Sequence, residues 1–323
     1  MNKPVLCIGE LLIDFTSMDV NATIAETSNF QKNAGGAPAN VAAAISKLGG
    51  RAFFAGCVGA DPFGDYLEQT LVREGVDCRL LQRDSNHNTT LAFVSLTQGG
   101  ERDFSFVRGA DQYFQSTADL EDCLSQVDLV HFGSATGFLG DPFEGVYGSL
   151  MEAARSQGKL ISFDPNYRDA LFGPRNPAFI EKAQACLGQA DLVKVSEEEL
   201  FLLTGHADRQ AGLDALKDLG ADHVLVTLGS QGVVYASKGK QIEVATPPIE
   251  AKDSTGAGDA FVGGVLYRLG QMENPVDTLN DLQVMAAVLT FACGVGASTC
   301  LGFGAIPSLP TLDQVHQLLA ENR

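Results

Sequence analysis

The stretch Asp253-Ser254-Thr255-Gly256-Ala257-Gly258-Asp259-Ala260-Phe261 puts a glycine-rich turn, a carboxylate and an apolar run in immediate succession. Gly256, Ala257 and Gly258 have little or no side chain, so their backbone N–H groups can approach an anion. The run Ala260-Phe261-Val262-Gly263-Gly264-Val265-Leu266 reads as a buried helix, and the N-terminal end of a helix favours negative charge. Asp259 then stands at the mouth of an anion site. There its carboxylate can take a proton from an attacking hydroxyl while the amides hold a transferring phosphoryl group. The chemistry that suits this order is phosphoryl transfer. Taken alone, the same residues also make an ordinary turn closed by an Asp helix cap, since Ser, Thr, Asp and Gly all favour such positions.

A second glycine cluster lies far upstream, Asn33-Ala34-Gly35-Gly36-Ala37-Pro38-Ala39-Asn40-Val41-Ala42-Ala43-Ala44, again a tight loop leading into a small-residue helix. The GxxxxGK[ST] pattern of a P-loop is absent, so the anion hole is of another construction. The two glycine motifs, in this order and in a chain of this length, resemble the paired signatures of the PfkB, or ribokinase-like, carbohydrate kinases. The resemblance covers essentially the whole chain. It implies an α/β, three-layer ribokinase-like fold with a mostly parallel central sheet. Residues 1–323 would form one kinase domain, carrying a small, discontinuous β-sheet lid at roughly 12–33 and 88–110.

The resemblance also implies roles. Asp259 is the expected catalytic base, and the amides of Gly256, Ala257, Gly258 and Asp259 would stabilise charge on the γ-phosphate of ATP; much of the rate gain in such a site comes from alignment and electrostatics. Asp14, read as the end of the first strand, is expected on the sugar hydroxyls, because a carboxylate can accept from two of them at once. Gly36 and Asn40 are expected against the same ligand. Ser162-Phe163-Asp164-Pro165-Asn166-Tyr167-Arg168 resembles the DxNxR segment of fructokinases and 2-keto-3-deoxygluconate kinases, and makes Arg168 a ligand either of the substrate or of a phosphate oxygen. Arg108, at the end of the second lid strand, is a similar candidate, with Phe106 and Phe104 closing over the sugar's apolar face.

Val193-Lys194-Val195-Ser196-Glu197-Glu198-Glu199 resembles the family's NxxE segment with Ser196 in place of the Asn. Glu199 is therefore expected to act on magnesium through water, an ion that keeps much of its hydration shell, and Lys194 to reach a phosphate. Thr227-Leu228-Gly229-Ser230-Gln231-Gly232 resembles the nucleotide loop, with Thr227, Gly229 and Gly232 near ATP. Asp253 and Thr255, together with Gly304 and Ser308 of the 302–308 loop, resemble a monovalent-cation site suited to potassium. Without the resemblance, these residues read as a strand-end turn at Asp14, a helix-start cap at Asn40, a glutamate-rich helix start and a glycine-bearing strand-to-strand turn.

These residues need a scaffold. Leu129–Gly133, Leu160–Asp164, Leu192–Val195 and His223–Thr227 are short apolar runs alternating with helical patterns such as Phe143–Gln157 and Ala207–Leu219. That alternation predicts a mostly parallel sheet with helices on both faces and ligands at the carboxyl ends of the strands. The lid strands Thr89–Leu96 and Asp103–Arg108 read as a hairpin whose connection carries Gly99-Gly100. Exposed apolar edges there predict a homodimer paired through the lid.

Composition removes other classes. The formal charge of −18 opposes nucleic-acid and anionic-membrane partners. No apolar run reads as long enough to cross a bilayer, the stretch 284–297 being interrupted or short, and the N-terminus lacks a signal-peptide cleavage pattern. The seven cysteines form no CxxC pair and read as reduced thiols of a cytoplasmic protein; the five histidines have no metal-ligand spacing. No GxGxxG follows the first strand, against a dehydrogenase. Within the resemblance, GGAPANVA, DPNYR, SEEEL and ERDFSFVRGAD look most like fructokinases, making a phosphotransferase acting on the 6-hydroxyl of fructose the expected activity. Ser134 stands where ribokinases carry a sugar-binding Glu, which disfavours ribose. Two alternatives stay open. The first is 2-keto-3-deoxygluconate, whose carboxylate would suit Arg108 and Arg168, although Ala92 stands where those kinases often carry a tyrosine; the second is a non-catalytic sugar-binding regulator on the same fold.

Overall fold

The structure is a computed structural model that describes residues 3–19, 21–96, 102–173 and 177–322. Its larger sheet has nine strands in the order β13-β12-β11-β10-β9-β8-β1-β4-β5. The six central and edge strands from β10 to β5 are β10 (Leu192–Ser196), β9 (Leu160–Asp164), β8 (Leu129–Gly133), β1 (Val5–Ile8), β4 (Ala52–Gly59) and β5 (Asp77–Asp84). These pair in parallel with one another and with β11 (His223–Thr227), while β12 (Val233–Ser237) and β13 (Lys240–Val244) finish the sheet antiparallel. The strands β1, β4, β8 and β9 are buried along their whole length, as expected of strands covered on both faces.

Alternation along β1 divides the interior. Val5 and Cys7 join a cluster with the helices Ala37–Lys47, Ala257–Leu269 and Leu282–Thr299. Leu6 and Ile8 join a second cluster with the helices Phe143–Ser156, Pro177–Leu187, Glu197–Thr204 and Arg209–Asp218. The result is the expected three layers. Leu282–Thr299 differs from the sequence expectation: it is one continuous helix, long and apolar enough by length and composition to cross a membrane. Its Met285, Val288, Leu289, Ala292 and Val295 are instead packed in the core, which accounts for the composition.

The smaller sheet has the order β3-β2-β6-β7, built from β2 (Leu12–Ser17), β3 (Phe30–Gly35), β6 (Leu91–Leu96) and β7 (Arg102–Val107). The connection carrying Gly99-Gly100 lies outside the described residues. The first strand of the chain ends at Ile8, so Asp14 does not stand at its end but inside β2 of the lid. The chain changes sheets between them at Gly9, whose φ of +154° lies at the edge of the left-handed half of the map and whose backbone is crowded by Pro38.

Candidate active site

Two helix starts meet at the centre of the site. Gly36 precedes the helix Ala37–Lys47 with φ +110°, and a Cβ there would lie 2.3 Å from the Glu10 carbonyl oxygen, so only glycine fits. Gly256 precedes the helix Ala257–Leu269 with φ +75°, and its added Cβ would lie 2.4 Å from that of Ala305. The two helices approach closely because Gly263 faces Ala44, where a Cβ would come within 2.6 Å of the alanine methyl. This contact carries Asn40 to Asp259, and Asn40 Nδ2 donates to Asp259 Oδ2 at 2.8 Å. Asn40 is therefore not a cap. Its Oδ1 is buried with no protein partner.

The Ala257 N–H donates to the Ser254 carbonyl at 3.2 Å. This amide, expected in the anion hole, takes part in the turn that sets up the helix. Gly258 and Asp259, in the first turn, have no carbonyl four residues back within the helix, so their N–H groups form the open positive end. Burial pushes the Asp259 carboxyl up to about 6; the Asn40 hydrogen bond and the Arg168 charge pull it back, Asp164 raises it and Lys194 lowers it. Its carboxylate is thus poised to exchange a proton near neutral pH.

Asp14, half-buried in β2, reaches the same centre electrostatically. Desolvation pushes its carboxyl up to about 7, Arg168 opposes this, and Glu10 and Asp259 add to it. Asp14 pairs across the lid with Ala92 and Ala92 with Phe106, so Asp14 and Phe106 share one lid face. Phe106 stacks on Phe104 with centroids 6.1 Å apart. Arg168 follows Asn166, which has φ +49°, and donates from Nη2 to Asn166 Oδ1 at 3.0 Å.

Arg108, expected on the substrate, is also tied to its own surroundings. Its Nη1 donates to Leu139 O at 2.8 Å, its Nη2 to Thr136 O at 3.1 Å and its Nε to Asp111 Oδ2 at 3.3 Å. Three of the five guanidinium N–H groups are thus engaged, two of them with the loop after β8.

Lys194 projects from β10 and pairs with Asp164 Oδ2 at 2.9 Å. Its Nζ lies 3.7 Å from where a Gly258 Cβ would be, directly beside the helix start. Burial works against its charge, but Asp164, Glu199 and Asp259 outweigh that and hold its pKa above the ordinary lysine value. Both Glu199 oxygens accept backbone N–H groups, Oε1 from Tyr167 at 2.9 Å and Oε2 from Ser196 at 2.7 Å, the latter completing a capping box. No cluster of three or more His, Cys, Asp or Glu able to hold a metal occurs among the described residues.

Thr227 ends β11 and donates weakly to Val195 O at 3.4 Å. Gly229 opens a single 3-10 turn with φ +58° and free space where a side chain would be. Gly232 has φ +117°, and a Cβ would lie 2.0 Å from Val244 O, so its identity is set by packing against β13. Asp253 ties two loops together, Oδ1 accepting from Thr255 N at 2.9 Å and Oγ1 at 2.7 Å, and Oδ2 from Gly304 N at 2.8 Å. Ser308 donates to Phe303 O at 2.9 Å in the second loop.

Sequence reasoning overlooked Glu10. It is 1% exposed, accepts from Ser134 Oγ at 2.6 Å and Ala37 N at 3.1 Å, and so fixes the start of the Asn40 helix. A lone acid inside Cys7-Ile8-Gly9-Glu10-Leu11-Leu12-Ile13 was the available signal. All seven cysteines are free, five of them buried. His131 and His223 are buried against Ser162 and Tyr235, and His87 pairs with Asp84.

With this geometry in hand, comparison with known proteins places the chain. The model of the pfkB family carbohydrate kinases matches residues 2–312. Fructokinase-1 of Zea mays is 39% identical over 325 residues, covering 98% of this chain and 97% of the relative. The crystal structure of a Xylella fastidiosa fructokinase with bound ATP superposes with TM-score 0.88 at 34% identity, covering 99% of each chain. Fructokinase from Vibrio cholerae O395 superposes with TM-score 0.85 at 33% identity over 98% of this chain. It has been crystallised with fructose, ADP and calcium (99% of that chain covered) and, as a double mutant, with fructose, ADP and potassium (98%). The chain belongs to the pfkB family of carbohydrate kinases.

Proposed function

We propose that this chain is an ATP-dependent fructokinase transferring the γ-phosphoryl group of ATP to the 6-hydroxyl of D-fructose. One observation carries the reading: a buried Asp259, hydrogen-bonded by Asn40 at 2.8 Å, sits in the first turn of a helix whose open amides and neighbouring Lys194 favour a phosphate. Asp259 takes the proton of the acceptor hydroxyl as the new P–O bond forms, and the Gly258 and Asp259 amides offset charge on the transferring group. Asp14 and the Phe106 face of the lid hold the sugar, and Arg168, within electrostatic reach of both Asp14 and Asp259, steadies the reacting oxygens. The fructokinase relatives with bound ATP, or with fructose and ADP, support the same pair of ligands here.

Magnesium fits as an ion carried on the nucleotide phosphates, because it needs only one or two carboxylates beside phosphate and water ligands. Each Glu199 oxygen retains a lone pair for a bound water, and Glu199 lies in the same buried charge group as Lys194 and Asp164. When bound, the ion neutralises phosphate charge. Potassium fits the loops joined by Asp253, where Thr255 and Ser308 hydroxyl oxygens and backbone carbonyls supply neutral oxygen donors. Free, mostly buried thiols support a cytoplasmic setting, and the lid edge strands β3 and β7 support a homodimer paired through the lid, which sedimentation would read directly.

The test is ADP release by the purified protein with ATP and magnesium, comparing fructose, 2-keto-3-deoxygluconate and ribose. Fructose-selective turnover is expected. Turnover confined to the keto acid overturns the substrate, and saturable sugar binding with no ADP release overturns the kinase reading in favour of a regulator.

A further inference from the structure

The fate of Arg108 carries a consequence for substrate choice. An arginine leaving the last lid strand beside a sugar site is the natural counter-ion for a substrate carboxylate. Here three of its five N–H groups go to Asp111, Leu139 O and Thr136 O, and the side chain is only 15% exposed. Asp111 is itself 1% exposed and fixed from the other side, its Oδ1 accepting the Thr90 hydroxyl. Thr90 Oγ1 in turn accepts from Gly109 N at 2.8 Å. The pair is a braced unit rather than a swinging side chain.

The charges around it point the same way. Glu10, Asp14 and Asp259 are buried or half-buried carboxylates, Asp14 lies within electrostatic reach of the other two, and Asp111 acts on Glu10. Against them stands Arg168, already shared between Asp14 and Asp259. Lys194 is paired with Asp164 on the phosphate side. A carboxylate brought into this pocket would be desolvated among like charges beside a lid arginine whose charge Asp111 already compensates. A neutral polyol pays no such cost and can donate to the same carboxylates.

We infer that Asp111 is a specificity-determining positioning residue: by neutralising Arg108 and turning it onto the Thr136–Leu139 loop, it rejects sugar acids and leaves a pocket for neutral ketoses. The inference rests on the fructokinase reading. Loss of the Asp111 charge leaves the Arg108 charge uncompensated, still held by the two carbonyls, so a substrate carboxylate gains its attraction and the sugar acid gains relative to the neutral sugar.

The experiment measures kcat/KM for D-fructose and for 2-keto-3-deoxygluconate in the unaltered enzyme, Asp111→Asn, Arg108→Ala and the double variant. Where the acid is not turned over, its inhibition constant against fructose replaces its kcat/KM. Asp111→Asn, which keeps the shape and the acceptor for Thr90, should raise the acid-to-fructose ratio about tenfold or more, a gain equal to about 1.4 kcal/mol. The double variant should return the ratio to its starting value. Arg108→Ala alone should change the ratio by less than about twofold, and a larger fall overturns the inference even if Asp111→Asn does not fold. A ratio unmoved in an Asp111→Asn enzyme that still phosphorylates fructose overturns the inference as well. Preference of the unaltered enzyme for the acid overturns the fructokinase reading itself, visible before any variant is made.

Discussion

Replacing Asn40 by Leu keeps roughly the same volume and removes the one side-chain donor to Asp259 Oδ2. The hydrogen bond stabilises the charged carboxylate, so its loss must raise the pKa of Asp259 above its present value of about 6. Hydrogen bonds to charged groups contribute about 1.5–3 kcal/mol, and one pKa unit is about 1.4 kcal/mol, which puts the shift at about one to two units. Taking the variant at about 7.5, the fraction of ionised base at pH 6.5 falls roughly eightfold relative to the unaltered enzyme, and at pH 9 hardly at all. The assay is kcat/KM for fructose from pH 5.5 to 9, which reports the ionisations of the free enzyme. Asp14, pushed up to about 7 and coupled to Asp259, titrates in both proteins, so the ratio reports the pair. Any contact of Asn40 with the sugar lowers the ratio equally at every pH. A ratio that is flat across the range refutes the claim that Asn40 tunes the base.

Three further outcomes follow from the same geometry. Because burial holds the Asp259 pKa above the ordinary carboxylate value, stability is lost as pH rises from about 4 to about 6 and the full cost is present above that; Asp259→Asn should therefore stabilise the ligand-free protein by roughly 1–3 kcal/mol at pH 8 and not below pH 4, read by denaturant melts. Lys194→Met leaves Asp164 buried without its 2.9 Å partner and should cost about 3–5 kcal/mol of stability, while Lys194→Met with Asp164→Asn should regain stability without regaining ATP affinity in calorimetry. Gly256→Val meets Ala305 at a backbone φ of +75°, so it should cost about 1–3 kcal/mol in melts and, by moving the amides, lower kcat on the order of a hundredfold.

The two glycine motifs were legible because glycine at a helix start has few structural excuses, and Gly36 and Gly256 do have left-handed or crowded backbones. The alternating apolar runs likewise announced a parallel sheet, since strands covered on both faces must be apolar throughout. What could not be read was direction. Nothing local says that Asn40 turns towards a carboxylate 219 positions away in sequence, a meeting produced by Gly263 packing on Ala44. Asp14 was placed one strand too early because apolar residues flank Gly9-Glu10 on both sides, so the sheet change there reads as one continuing strand. The anchoring of Arg108 was not legible because two of its acceptors, the Thr136 and Leu139 carbonyls, are backbone atoms that composition cannot show. Glu199 satisfies a helix cap as well as it would a metal, and sequence spacing does not separate the two.

The central claim is that Asp259 is the base that deprotonates a bound sugar. The most direct measurement pairs ATP-dependent ADP release with calorimetric fructose binding in Asp259→Asn, which keeps the shape and the contact to Asn40. The account predicts turnover reduced by about a hundredfold to ten-thousandfold with fructose binding retained. Turnover within about tenfold of the unaltered enzyme, at unchanged fructose affinity, would contradict it.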